Sequence, residues 1–154
     1  MREPSGEKNI TRRKDLRFNF EVVESVEAGL VLRGTEVKSL REGAVSLVDS
    51  FCKFKVNELF VQGMQITPYS HGTSSNHPPD RPRKLLLHKR ELTRLKAKVQ
   101  EKGLTLVPAR LYFKDGKAKM EVALVKGKKL YDKRDAAKKK EQRREMERVV
   151  KRSR

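Results

Sequence analysis

The chain has 154 residues, 38 of them Lys or Arg and 20 Asp or Glu, for a formal net charge of +18 at pH 7. That length accommodates one domain with one core, and apolar residues, 36% of the chain, are grouped in runs, so a folded body with charged additions is expected. No apolar stretch approaches the roughly 18 residues of a membrane span, Met1–Lys8 lacks the apolar centre of a signal peptide, and the single Cys52 permits no internal disulfide. A cytoplasmic protein with no membrane partner is the expectation.

Residues 1–14 are polar and basic, with Pro4, Ser5 and Gly6 near the start, and read as a loosely attached arm. Phe18, Phe20 and Val22 then alternate with Asn19, Glu21 and Val23, the period of two that defines a strand. Leu30, Val31 and Leu32 form a second short run after Ala28-Gly29. A short helix is predicted over Thr35–Gly43, with Thr35 as cap, Gly43 as stop, and Glu36, Lys38 and Arg41 near the surface. Residues 51–56 and 59–66 read as a strand pair joined at Asn57-Glu58. Four of the six prolines, Pro68, Pro78, Pro79 and Pro82, then lie in a polar loop over 67–83.

From Arg83, the residues Leu85, Leu92, Leu95 and Val99 recur at helical spacing among Lys89, Arg90, Arg94, Lys96 and Lys98, which predicts an amphipathic helix stopped by Gly103. Leu104–Phe113 and Lys117–Val125 form a hairpin through Lys114-Asp115-Gly116, because Asp-Gly tolerates the positive φ angles of a tight turn. Met120, Val122 and Leu124 belong to its core face, Lys117, Lys119 and Glu121 to its wet face. The fold class is therefore mainly β with peripheral helices: a small antiparallel OB-like barrel of about six strands over residues 15–125. A ferredoxin-like sandwich is the alternative. Residues 126–154 are a basic tail with high helix propensity but no apolar stripe, expected to be disordered in isolation and helical on a polyanion.

No catalytic constellation emerges. Cys52 is flanked by Phe51 and Phe54 in a strand, His71 and His77 lie in a polar loop without a second Cys, and no phosphate-binding glycine loop or distinctive carboxylate pair is present. The chain is read as a binding protein and not an enzyme, without cofactor or metal. Charge supplies the partner: residues 1–14 carry +3, residues 15–125 carry +6 and residues 126–154 carry +9. Excess on this scale calls for a polyanion, and RNA is favoured. With only Tyr69, Tyr112 and Tyr131 as candidates for base stacking, a structured RNA that presents its backbone fits better than a single strand read by sequence. A ribosomal or general RNA-coating protein, or a small RNA-modifying enzyme, are the competing readings.

Four collinear runs are more specific: Glu27-Ala28-Gly29, Gly34–Arg41, Arg83–Leu92 and Lys126–Arg134. In this the chain closely resembles the small protein B (SsrA-binding protein) family of bacteria from about residue 15 onward. The resemblance implies an OB-like fold and a partner of transfer-messenger RNA in trans-translation, the rescue of stalled ribosomes. The body would bind the tRNA-like domain and replace its missing anticodon arm. The tail would enter the empty messenger channel, against small-subunit ribosomal RNA, and elongation factor Tu would be met only indirectly through the charged RNA. By position, Glu27, Leu86, His88 and Lys119 match family residues on the tRNA-like domain, and Gly127, Lys128, Lys129, Tyr131, Asp132, Lys133 and Arg134 match the stretch near the decoding centre. The segment Arg13–Phe20 departs from the family pattern, so Arg13 is expected to replace an Asn contact with a phosphate contact.

Neutralising about six phosphates predicts a slope of about −4 to −5 in log K against log salt. Titration of RNA at graded KCl concentrations checks this, and a flat dependence rules out the electrostatic reading.

Overall fold

Alternating apolar and polar side chains dominate the chain between Glu7 and Gly127, and strands result wherever that alternation runs long enough to pair. The computed structural model describes residues 6–71, 76–127 and 130–152. In chain order the elements are β1 (Glu7–Arg12), α1 (Leu16–Asn19), β2 (Phe20–Leu30), α2 (Gly34–Arg41), β3 (Val45–Ser46), β4 (Phe51–Lys55), β5 (Glu58–Gln62), β6 (Gln65–Ile66), β7 (Arg83–Leu86), α3 (Lys89–Lys102), β8 (Thr105–Lys114), β9 (Lys117–Gly127) and α4 (Leu130–Arg152).

Six strands close into a ring in the order β8-β4-β5-β7-β2-β9, with β9 returning to β8 and every pairing antiparallel. Inside it lie Leu59, Val61, Leu85, Leu106, Leu111, Met120, Val122 and Leu124, with Leu95 of α3 and Leu40 of α2 closing over them. A smaller cluster on the outside of the ring, Val107, Ala109, Ala123 and Val125, is covered by Leu16 and Phe20. The mainly β architecture with peripheral helices agrees with the sequence expectation, as does the Asp115-Gly116 turn, where both residues take positive φ.

The membership of the ring differs from the expectation. The runs at 18–23 and 30–32 do not make two strands: residues 20–30 form the single long β2, bulged between Val22 and Glu24. Its place is made up by Arg83–Leu86, expected as the start of a helix, which is strand β7 between β5 and β2. Leu85 has helical spacing to Leu92, but it sits opposite Leu59 and Leu30, so tertiary pairing overrides the local period. Residues 7–12 are likewise no loose arm. They form β1 on β8, with Ile10 packed against the core. In the tail, 130–152 is helix α4, which meets the body near α1, where Lys140, Glu141 and Arg144 line a cleft with Lys14, Asp15 and Phe18, and residues 138–149 are exposed. Its Ala, Lys, Arg, Gln and Glu content supports helix by propensity, while the missing apolar stripe leaves nothing to bury.

One further expectation is reversed. Glu36, read as a surface residue, is fully buried with Arg83. Arg83 donates Nε to Glu36 Oε2 at 2.6 Å, Nη1 to the Met64 carbonyl at 2.6 Å and Nη2 to the Pro79 carbonyl at 3.0 Å. Arg81 donates to the other Glu36 oxygen, which also accepts the Arg33 amide at 2.8 Å and so caps α2 in place of Thr35. Thr35 instead bonds His77 Nδ1 at 2.8 Å. Burial by itself would raise the Glu36 pKa, but the Arg33 amide and the two guanidiniums outweigh it and hold the carboxyl below its usual range.

Replacing Arg83 with Met removes the buried guanidinium from Glu36 Oε2, leaving Arg81 and the Arg33 amide on Oε1 alone, and is expected to cost about 3–5 kcal/mol of stability, read from urea unfolding. Because the folded pKa of Glu36 is depressed, its contribution is complete above the unfolded value of about 4.3 and is lost as pH falls through the folded value. Glu36→Gln should accordingly flatten the acid limb of the stability profile.

Candidate nucleic-acid interface

Strand register brings distant residues into rows on the outside of the ring. Leu86 of β7 lies opposite Gly29 of β2, Gly29 opposite Lys119 of β9, and Lys119 opposite Tyr112 of β8. One step along, Glu27 faces Glu121, Glu121 faces Arg110, and Arg110 faces Arg12 of β1. Residues directly opposite share a face, and residues two apart on one strand do also. Glu27, Leu86 and Lys119 therefore lie together, although 92 residues separate the first from the last in the chain. Leu86 is 53% exposed, an uncovered apolar side chain on a basic surface. Gly29 beside it lets Leu86 approach closely, since a Cβ there would lie 3.3 Å from the Leu86 Cβ and would displace it by a few tenths of an ångström.

Glu27 accepts the Tyr112 hydroxyl at 2.6 Å and Lys114 Nζ at 3.3 Å. The Tyr112 hydrogen bond, followed by Lys114 and Lys119, holds its carboxyl below the usual range despite partial desolvation, so it is charged at neutral pH. Burial and the adjacent carboxylate push the Tyr112 phenol upward, so it remains a donor. Lys119 is half-buried and has no ion-pair partner among the described residues. His88 follows β7 by two residues, is exposed, and stands at the N-terminus of α3, where its carbonyl accepts the Leu92 amide.

Arg13 is placed elsewhere. Its guanidinium donates to the Ser50 carbonyl at 2.7 Å and to Asp15 at 3.0 Å, lies over the Phe20 ring, and keeps only 7% of its side chain exposed. These contacts lock the β1–α1 turn onto the ring and engage Nε and Nη1 within the protein, while Arg13 also lines a groove with Arg12, Lys14 and Arg17. Gly127 ends β9 opposite Phe20, Lys128 and Lys129 lie outside the described residues, and Tyr131, Asp132, Lys133 and Arg134 fall in the first turns of α4.

Sequence reasoning missed the neighbours of Arg13. Arg12, Lys14 and Arg17 line a groove of about 390 Å³ with Arg110, Ser25 and Glu121, continuous with the Glu27 row. All three are exposed and unpaired among the described residues, and the Phe18 ring is 42% exposed beside them. The density of cations around residues 12–17 was the available signal. Conversely, α3 is less free than its composition suggests, since Arg94 and Lys98 pair with Glu24 and Lys96 bonds the Val56 carbonyl. Tyr112 is buried beneath Arg110 and is unavailable for stacking. His77 is buried and bonded to Thr35 and the Ile66 carbonyl, and Cys52 is a buried core thiol whose pKa burial raises. Among the described residues no cluster of metal-binding side chains occurs, and no helix is long and apolar enough to cross a membrane.

The SmpB protein family model matches residues 10–152. The chain belongs to the SmpB family. An SsrA-binding protein from Desulforudis audaxviator is 53% identical over 149 residues, covering 97% of this chain and 96% of the relative. That from Geobacter sulfurreducens is 54% identical over 141 residues, covering 92% of each. A solved SmpB chain from "tmRNA-SmpB: a journey to the center of the bacterial ribosome" superposes with a TM-score of 0.67 at 46% identity, covering 82% of this chain and 93% of that one. Within the SmpB family frame, the row around Glu27 and the groove around Arg12 make one outer face that combines fixed charges with an apolar contact.

Arg12→Gln, Lys14→Gln and Arg17→Gln are each expected to weaken binding of all RNAs to a similar degree and to reduce the magnitude of the salt slope by about 1. Leu86→Ala should weaken binding to the specific RNA with no change of slope. Filter binding at several salt concentrations separates the two classes.

Proposed function

We propose that this chain is the transfer-messenger RNA partner in trans-translation, acting by binding and not by catalysis. The observation that carries the reading is the convergence of Glu27, Leu86 and Lys119 from three strands on one outer face. Lys119 takes a phosphate as a point charge, and Leu86 packs against an unpaired base or a ribose. Glu27 cannot take a phosphate. With Lys114 and Lys119 beside it, it accepts a hydrogen bond from the RNA without repelling the chain as a whole. His88 lies at the edge of the same face, and the Arg12 groove carries the backbone onward.

The body binds the tRNA-like domain and occupies the place of the missing anticodon arm, and the RNA brings the protein to the stalled ribosome in the cytoplasm. Elongation factor Tu joins through the charged RNA. The tail holds +9 of the +18 and has a different task. A helix of 23 residues is about 34 Å long, cationic on every side, and suits a channel walled by small-subunit ribosomal RNA when no messenger fills it. Gly127, Lys128, Lys129, Tyr131, Asp132, Lys133 and Arg134 stand at its entrance and act near the decoding centre.

The test is competition between labelled tRNA-like domain and bulk RNA, with the full chain and with a truncation after Gly127, which leaves every strand pair intact. Truncation should preserve the preference for the tRNA-like domain and abolish tagging of stalled nascent chains. Equal affinity for all RNAs would identify a general RNA-coating protein instead.

A further inference from the structure

Glu27 is held at one oxygen only. Tyr112 and Lys114 both donate to Oε2, whereas Oε1 has no partner among the described residues and the side chain is 39% exposed. The donor is rigid. Tyr112 reaches from β8 across β9 to β2, is 2% exposed, and has the Arg110 guanidinium 4.0 Å from its ring centroid. Arg110 is fixed in turn by Glu7, Glu121 and Asn9. A glutamate anchored through this chain has already given up the rotamer freedom that a free surface glutamate loses on binding.

Resting on the reading above, we propose that Tyr112 is a positioning residue for RNA recognition: it pins Glu27 through Oε2 so that Oε1 is presented as an acceptor for an N–H or O–H donor of the RNA, a base amine or a 2′-hydroxyl. An ionised carboxylate only accepts, so this atom rejects a phosphate oxygen or a bare carbonyl and selects a nucleotide that shows a donor. Affinity then comes from Lys119 and the Arg12 groove, and discrimination from Glu27. The tyrosine that sequence reasoning offered for base stacking acts through another side chain and touches no RNA.

The experiment is a double-mutant cycle on the full-length protein with Tyr112→Phe and Glu27→Gln, reading affinity for the tRNA-like domain and for bulk RNA. Tyr112→Phe keeps the ring under Arg110, and a thermal melt on each variant verifies folding. Tyr112→Phe is expected to weaken binding to the tRNA-like domain by about tenfold, as for loss of a hydrogen bond to a charged group. It should leave bulk-RNA affinity and the salt slope unchanged, and should add little to Glu27→Gln. Binding equal to wild type, or the full loss persisting in the Glu27→Gln background, overturns the proposal. If the wild-type protein itself does not prefer the tRNA-like domain, the functional reading fails and not this coupling. Repeating the titration with 2′-deoxy sugars at the unpaired positions of the RNA identifies the donor. The Glu27-dependent preference survives if a base donates and vanishes if the 2′-hydroxyl does.

Discussion

The buried pair of Glu36 and Arg83 ties together parts of the chain that lie far apart in sequence. It joins the start of α2, the strand β7, the carbonyl at Met64 and the proline-rich segment at Pro78-Pro79. Both side chains are fully buried, so each charge is tolerated only because the other partner and several backbone groups replace its water. Strand β7, which carries Arg83, is held in the ring by pairing with β5 and β2. Leu86 and His88 follow Arg83 directly, and their position on the outer face depends on that pairing.

The outer face works through graded occupancy of its charges. Arg110 is consumed by Glu7 and Glu121, Arg94 and Lys98 by Glu24, and Arg13 by Ser50 and Asp15. The cations left without partners among the described residues include Lys119, Arg12, Lys14 and Arg17, which flank the exposed Leu86 and Phe18. Net charge therefore overstates what the body offers RNA. A good part of its basic inventory is structural.

The +18 divides between a body whose charges are sorted by tertiary contacts and a tail whose charges are not. In α4, residues 138–149 are exposed, and the ion pair of Arg148 with Glu141 at 3.7 Å is of the surface kind that contributes little. A helix of this composition has little apolar surface to bury, and it meets the body at the cleft beside α1.

What the sequence determined by itself was whatever depends on local chemistry: the alternation in β4, β5, β8 and β9, the Asp115-Gly116 hairpin, the apolar spacing of α3, the basic tail and the family motifs. Such signals act within a few residues and need no distant partner. Tertiary structure alone decided the rest. Leu85 became strand because β5 and β2 offered edges, Glu36 went inside because Arg83 met it there, residues 7–12 left the arm because β8 had a free side, and Tyr112 turned from stacking candidate to the anchor of Glu27. Each of these outcomes turns on pairing or charge compensation between groups dozens of residues apart, and the energy of such a contact has no trace in the local pattern of either partner.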